Sequence, residues 1–515
     1  MKQPAVYLVG VGPGDPGLIT VRGLECIQAA DVVVYEHFVH PRLLRQARPG
    51  AELLDVGSSS PNAMAQEAIG YLVADKAREG KVVAHLKWGD PFIFGRAGEE
   101  ALFLHEQGIP FEVVPGVPAA VGAPAYAGVP LTYPGSGHTV TLVKAYDDES
   151  RSVTNVDWAS LAKLDGTVVC YAVANQMPRV VDALRSHGWN AGVQAVVIYN
   201  GTSSTQETLQ GTLAELPGMM REQQRRGLAV LVLGRVVGFR EHLRWFDDRP
   251  LFGRRVLVTR PREQAAELTE RLAALGADPI EAPMIRIAPP EDPTPLLRAA
   301  ARADAFDWIV FTSANAVDAF MHALLDGERD IRALSGPLLC TVGPGTAERL
   351  ARHGIRVDLI PDEFRADAVV RTLARRGPLD GLRVLLPHAD IGREAIASQL
   401  RAAGASVTDV VAYRTVAVDS PRADDPDVYR LLLEGSIDAV TFTSGSAVRN
   451  FAQLYGTEQA VDLLRQTVVA TIGPVTTDAA TELGVAVTVQ PTTYTVPALV
   501  EALAAHFAAA RASAI

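Results

Sequence analysis

Apolar positions along the chain gather into short β-like runs, each followed by a stretch with helical spacing. The runs are VVVY (Val32–Tyr35), KVVAHL (Lys81–Leu86), HTVTLVKAY (His138–Tyr146), TVVCYAV (Thr167–Val173), QAVVIYN (Gln194–Asn200) and LAVLVLGRVV (Leu228–Val237). Short apolar runs alternating with helical patterns are the grammar of an α/β protein. The rhythm restarts in LRWFDDRPLFGRRVLVTRPREQAAEL (Leu243–Leu268), where a polar, proline-containing joint precedes a fresh strand and helix. This predicts a domain boundary at about Arg249 to Gly253.

The second half repeats itself. DWIVFTSANAVDAF, from Asp307, returns as DAVTFTSGSAVRNF from Asp438. CTVGPGTAERLARHGIRV, from Cys340, returns as ATIGPVTTDAATELGVAV from Ala470. LAALGADPIEAPMIRI aligns with LRAAGASVTDVVAYRT. The offsets are all about 130 residues, too long for a solenoid unit. They predict two similar α/β lobes facing each other across a cleft, a preferred place for a ligand.

Composition narrows the function. A length of 515 residues implies several domains, and 48% apolar residues is typical of globular proteins. No apolar run approaches the roughly 18 residues that span a bilayer, and the first residues run straight into a strand, so neither a membrane segment nor a secretory signal is expected. Three widely spaced cysteines, Cys26, Cys170 and Cys340, suggest neither a disulfide framework nor a metal cluster, and fit a reducing cytoplasm. A net charge of −11 argues against general nucleic-acid binding while allowing an acidic small molecule in a local basic pocket.

The chemistry begins with VGVGPGD (Val9–Asp15), a glycine turn between a strand and a helix. It lacks the Gly-Lys-Ser/Thr of a phosphate loop, and Asp15 stands where a dinucleotide fold needs its third glycine. A carboxylate there suits a ligand without phosphates, one that carries positive charge. With VGVGPGDPGLIT stand HLKWGDPFIFGRAGEE (His85–Glu100), FEVVPGVPAAVGAPAYAGVPLT (Phe111–Thr132) and VIYNGTSSTQETLQGTL (Val197–Leu213). In this order and spacing they resemble the tetrapyrrole methylase family, and most closely uroporphyrinogen-III C-methyltransferase, over about residues 5–240. The resemblance implies S-adenosylmethionine, a sulfonium cation, as methyl donor, and uroporphyrinogen III as acceptor on the route to precorrin-2. It implies donor contacts at Pro13, Gly89, Asp90, Pro118, Ala119, Gly201 and Thr202, with Asp15 as the catalytic candidate near the reacting methyl, and a homodimer. The chain departs from the family at Trp88, where glycine is usual, at Ala172-Val173, where Met-Gly is usual, at Lys144-Ala145-Tyr146, and in the loop Gly57–Gln66, which carries no cation; Lys87, Arg96 and His138 remain. Two readings follow: a working methyltransferase, or a degenerate, inactive methylase domain kept for scaffold or donor binding.

In the second half, VLVTRPREQAAEL, FTSANAV, VGPGTAERL, PHADIGREAIASQLRAAGASVTDVVAYRT, FTSGSAV and IGPVTTDAATELG together resemble uroporphyrinogen-III synthase. That family closes linear hydroxymethylbilane into uroporphyrinogen III with ring D inverted, without a cofactor or metal. Hydroxyls just after strands, Thr312, Ser313, Thr346, Ser444 and Thr476, suit either carboxylate binding or simple helix capping. Tyr413 replaces Ile285 of the matching repeat; the resemblance places it in the cleft as the catalytic hydroxyl. Arg260 and Arg393 are candidate carboxylate ligands. The expected fold is α/β: residues 1–245 a two-lobed methylase domain, and 252–515 a synthase domain with two flavodoxin-like lobes, about 252–286 plus 416–515, and 287–415. A binding module of paired lobes is the alternative from another class. A dehydrogenase-chelatase activity has neither a dinucleotide fingerprint nor spare length.

Overall fold

Apolar residues, Val foremost, fill most strand positions, as in sheets covered by helices. The computed structural model describes the whole chain except residues 1–4, 37, 58–63, 148–151, 222–224, 226, 328, 362–365, 391–393, 418–425 and 514–515. It comprises two units, Met1–Gly253 and Arg254–Ile515.

The first unit holds two sheets. β1 (Val6–Gly10), β2 (Val32–Tyr35), β3 (Glu52–Asp55), β4 (Val83–Lys87) and β5 (Phe111–Val114) run in the order β3-β2-β4-β1-β5, all parallel. β6 (Thr139–Lys144) leads through a small hairpin, β7 (Tyr146–Asp147) and β8 (Ser152–Val153), to β9 (Gly166–Val173), β10 (Gln194–Tyr199), β11 (Glu207–Thr212) and β12 (Leu228–Leu233). Their sheet has the order β11-β10-β12-β9-β6, parallel only between β6 and β9.

The pleat of β4 explains a buried charged line. Successive side chains alternate between faces, so Ala84 and Leu86 join the apolar cluster on one side while Val83, His85 and Lys87 turn to the other. There the helix Ala97–Glu106 lays Ala97, Ala101 and Leu104 on the sheet and brings Glu100 down with them. His85 Nδ1 lies 2.6 Å from Glu100 Oε1, and Lys87 Nζ lies 3.2 Å from Glu100 Oε2 and 3.9 Å from Glu36 Oε1. Burial opposes ionisation of Glu100, but His85 and Lys87 outweigh it and hold the carboxyl at about 2.

The second unit holds β13 (Arg255–Val258), β14 (Asp278–Glu281), β15 (Ile285–Ala288), β16 (Trp308–Phe311), β17 (Leu338–Thr341), β18 (Arg383–Ala389), β19 (Ser406–Ala417), β20 (Ala439–Phe442) and β21 (Val468–Thr471). One sheet is parallel, in the order β14-β13-β20-β21. The other has the order β15-β19-β18-β16-β17. Its β15 and β19 pair antiparallel, from Ile285 opposite Ala417 to Ala288 opposite Arg414. These two strands carry the chain out of the first lobe and back.

The sequence repeat is a structural repeat. β16 is followed by Ser313, whose hydroxyl caps the helix Ala314–Leu325 by accepting from Ala316 N. β20 is followed by Ser444, which caps Gly445–Tyr455 through Ala447 N in the same way. Even an isolated bridge recurs, Cys340 with Leu359 and Ala470 with Val489.

Glu100→Gln should lower unfolding free energy by about 3 kcal/mol, because it leaves the buried Lys87 ammonium with only the more distant Glu36 carboxylate. The wild-type contribution is complete above the unfolded carboxyl value of about 4.3 and is lost as pH falls through about 2. Urea unfolding of the two proteins between pH 7 and pH 2 checks both points: the gap should close toward the acid end.

Candidate functional site

The loops after β1, β4 and β5 meet beyond the C-terminal ends of their strands, where open parallel sheets bind ligands. Their backbones touch. Val11 N donates to Lys87 O at 3.0 Å, and Gly12 and Gly89 exchange two hydrogen bonds of 3.2 and 2.8 Å. A Cβ on Gly116 would stand 2.2 Å from Gly89 O, and one on Gly10 would stand 2.6 Å from Gly116 N, so only glycine fits at this crossing.

Two carboxylates hold these loops. Asp90 Oδ1 accepts from Phe92 N at 2.8 Å and Ile93 N at 3.1 Å, while its Oδ2 accepts from Gly116 N at 3.1 Å. Asp15 Oδ1 accepts from Gly17 N and its Oδ2 from the Tyr126 hydroxyl, both at 2.7 Å. Burial, together with Asp15, raises the Tyr126 phenol well above its usual range, so it stays a donor. The Asp15 amide donates to Thr202 Oγ1 at 3.0 Å. Thr202 itself is held in left-handed backbone, φ 70°, with its N–H donated to Gln206 Oε1 at 2.9 Å.

Two cavities open between the sheets of this unit. The larger, of about 280 Å³, has Glu36, Lys87, Arg96, Lys144, Ala172 and Val173 in its wall. The smaller, of about 180 Å³, is lined by Pro13, Ala119, Asn200, Gly201 and Thr205 among others, and among the described residues by no charged side chain. Trp88 lines both. Tyr171, its phenol pushed up to about 12 by burial, accepts from Ala120 N at 2.9 Å and so orients the helix Ala119–Tyr126.

Of the donor contacts expected from sequence, Pro13, Ala119 and Gly201 line the smaller cavity. Gly89, Asp90, Pro118 and Thr202 belong to the surrounding framework and line neither, and the same holds for Asp15. Within the cation-free loop, Gln66 lines the larger cavity, while residues 58–63 lie outside the described residues.

In the second unit the Tyr413 hydroxyl lies 3.1 Å from Ser313 Oγ, which joins two of the expected residues. Ser313 and Ser444 are helix caps. Thr346 and Thr476 are buried in the first turns of the helices Pro344–Arg352 and Pro474–Glu482. Thr312 is half-buried beside Ser313. Arg260 is half-buried and makes no ion pair among the described residues; burial lowers its pKa, Glu267 opposes this and Arg349 adds to it. Arg393 lies outside the described residues. Tyr413 also lines a groove of about 600 Å³ whose walls carry Glu263, Asp318 and Asp326 beside Arg349 and His322, with Arg349 Nε 3.5 Å from Asp318 Oδ1.

Residues 5–217 match the family of tetrapyrrole (corrin/porphyrin) methylases, and residues 266–501 match uroporphyrinogen-III synthase HemD. The porphyrin biosynthesis protein HemD of Ruminiclostridium josui is 34% identical over 88% of this chain and 89% of its own length. The chain belongs to this fused methylase–synthase family. The uroporphyrinogen-III C-methyltransferase of Bacillus subtilis is similar to the fusion at 36% identity over 72% of this chain and 76% of the relative. The solved uroporphyrin-III C-methyltransferase of Thermus thermophilus, complexed with S-adenyl homocysteine, is 32% identical, with 45% of this chain and 98% of that one covered, at a TM-score of 0.39.

Sequence reasoning passed over Glu36 in the methylase half of the fusion. It is the carboxylate in the wall of the larger cavity, and it directly follows the VVVY strand at the strand end where ligands gather. That position was the available signal.

Asp15→Ala should lower the stability of the methylase unit by about 1–3 kcal/mol, because the Tyr126 hydroxyl and the Gly17 amide lose their acceptor. A shifted urea midpoint checks this. Unchanged stability with lost methyl transfer would return Asp15 to the chemistry.

Proposed function

We propose that the chain cyclises hydroxymethylbilane to uroporphyrinogen III with ring D inverted, and methylates that product with S-adenosylmethionine toward precorrin-2. One observation carries the methylase reading: an uncharged cavity adjoins a cationic one across a shared wall. The first suits a donor without phosphates. Asn200, Ser203 and Thr205 offer hydrogen bonds for its polar groups, and Ile198, Ala119, Ala123 and Val230 offer apolar surface for its base. The second suits an acceptor with eight carboxylates, which Lys87, Arg96 and Lys144 attract. Lys144 belongs to a segment that departs from the family, so the cations absent from the 57–66 loop are in part supplied there. Trp88 leaves the donor space open, which favours a working domain over a degenerate one.

Methyl transfer is a displacement at carbon, and the chain's part is mainly alignment. The glycine crossing and the Asp90 and Asp15 braces fix the loops, Pro13, Ala119 and Gly201 shape the donor space, and Glu36 stands ready to take the proton that leaves the methylated ring. The donor itself supplies the methyl group.

For the synthase, the hydroxyl pair Tyr413–Ser313 is positioned to donate to the departing hydroxyl of the bilane, a lyase-type loss of water, and no cofactor is needed. Arg260, half-buried without an ion-pair partner among the described residues, is suited to a substrate carboxylate. The hydroxyls and amides at Thr312, Ser313, Thr346, Ser444 and Thr476 hold the others at helix N-termini.

Among the described residues no helix is long and apolar enough to cross a membrane. The three cysteines are buried and free, with the Cys170 and Cys340 thiols pushed up to about 12 by burial, which supports a reducing cytoplasm. The family resemblance supports a homodimer and products bound for sirohaem or cobalamin.

Purified chain given hydroxymethylbilane should yield the type III macrocycle; the spontaneous type I isomer alone would refute the synthase. Added S-adenosylmethionine should give a dimethylated product by mass, and an unconsumed donor would refute the methylase. Tyr413→Phe should lower kcat of cyclisation by about a hundredfold, and Arg260→Ala should raise KM by about tenfold with less effect on kcat.

A further inference from the structure

The two cavities of the first unit share a wall made by Phe38, Trp88 and Leu228. Trp88 is half-buried there, its ring centroid 6.4 Å from that of Phe38 with the planes at 55°. Among the described residues the smaller cavity has no charged lining. The two aspartates that sequence suggests as partners for a cationic donor are both committed elsewhere. Asp90 accepts from three backbone amides, Asp15 from an amide and a phenol, and neither lines a cavity. A sulfonium in the smaller cavity therefore meets, among the described residues, no carboxylate of that cavity. At the shared wall it meets aromatic rings. An aromatic face carries the negative part of the ring quadrupole and attracts a cation within about 6 Å of its centroid, and indole does so most strongly. A glycine at this position, usual in the family, provides nothing of the kind.

We infer that Trp88, with Phe38 beside it, recognises the positively charged sulfur of the methyl donor by a cation–π contact at the wall between the cavities, and so sets the preference for the charged donor over its neutral product. This rests on the methyl-donor reading above. When the methyl leaves, the S–C bond breaks and the new C–C bond forms. Sulfur keeps the electron pair as a neutral thioether, and the positive charge passes to the acceptor and departs as a proton. The contact with Trp88 exists before transfer and is lost after it, so the indole holds the spent donor less tightly than the fresh one. Uroporphyrinogen III takes two methyl groups, so the donor must be exchanged between them.

Calorimetric titration of the full chain with S-adenosylmethionine and, separately, S-adenosylhomocysteine tests the inference. Trp88→Leu should weaken the sulfonium ligand about tenfold and the thioether less than about twofold. Trp88→Phe, which keeps a ring and most of the bulk, should lose about threefold for the sulfonium alone, and it decides the matter if the leucine variant does not fold. An equal loss for both ligands, or no loss, would make the indole a space-filler and overturn the inference while leaving the donor site intact. A wild-type chain that binds neither ligand would overturn the methyl-donor reading and the inference with it.

Discussion

Three backbones meet at Gly10, Gly89 and Gly116 with no room for a methyl group between them, and the first unit is organised around that crossing. It brings the loops after β1, β4 and β5 into direct contact, and Asp90 ties the last two together. Trp88 is placed by the same constraint. It immediately precedes Gly89, whose backbone is locked to Gly12 by paired hydrogen bonds, so the indole has its root fixed at the boundary of the two cavities. A single side chain added at the crossing would separate the loops and merge or close the spaces they bound.

The two spaces make opposite electrostatic demands. One is free of charged lining; the other gathers Lys87, Arg96 and Lys144 around Glu36. Lys87 is carried into that wall on a strand whose other buried polar residue, His85, shares Glu100 with it. Burying an ammonium so deeply is tolerable because the Glu100 carboxylate is buried beside it at 3.2 Å and Glu36 stands 3.9 Å away. In the second unit the polar groups are spread differently: Ser313 and Ser444 cap helices, and the Arg260 guanidinium is half-buried.

Much of this was legible in the chain. The strands VVVY and QAVVIY stand where their apolar runs lie, and the repeat of DWIVFTS in DAVTFTS marks two equivalent strand–cap–helix units. What was illegible depended on distant partners. Asp15 looks like a reactive carboxylate until Tyr126, 111 residues away, is seen to occupy it. Tyr413 was visible as a break in the repeat, but its partner Ser313, 100 residues earlier, was legible only as a cap. Glu36 was missed because a lone acid after a strand has no local pattern to distinguish it.

The path of the chain through the second unit has a consequence for its birth on the ribosome. β13 and β14 emerge early, yet β13's other neighbour in the sheet, β20, is not made until the whole β15–β19 lobe has passed. That inserted lobe has its full complement of strands as soon as β19 is out, and it can mature first. Its elder sibling waits as a two-strand fragment with the β13 edge open, the kind of surface on which chaperones act, and gains its remaining strands only once β20 and β21 have followed.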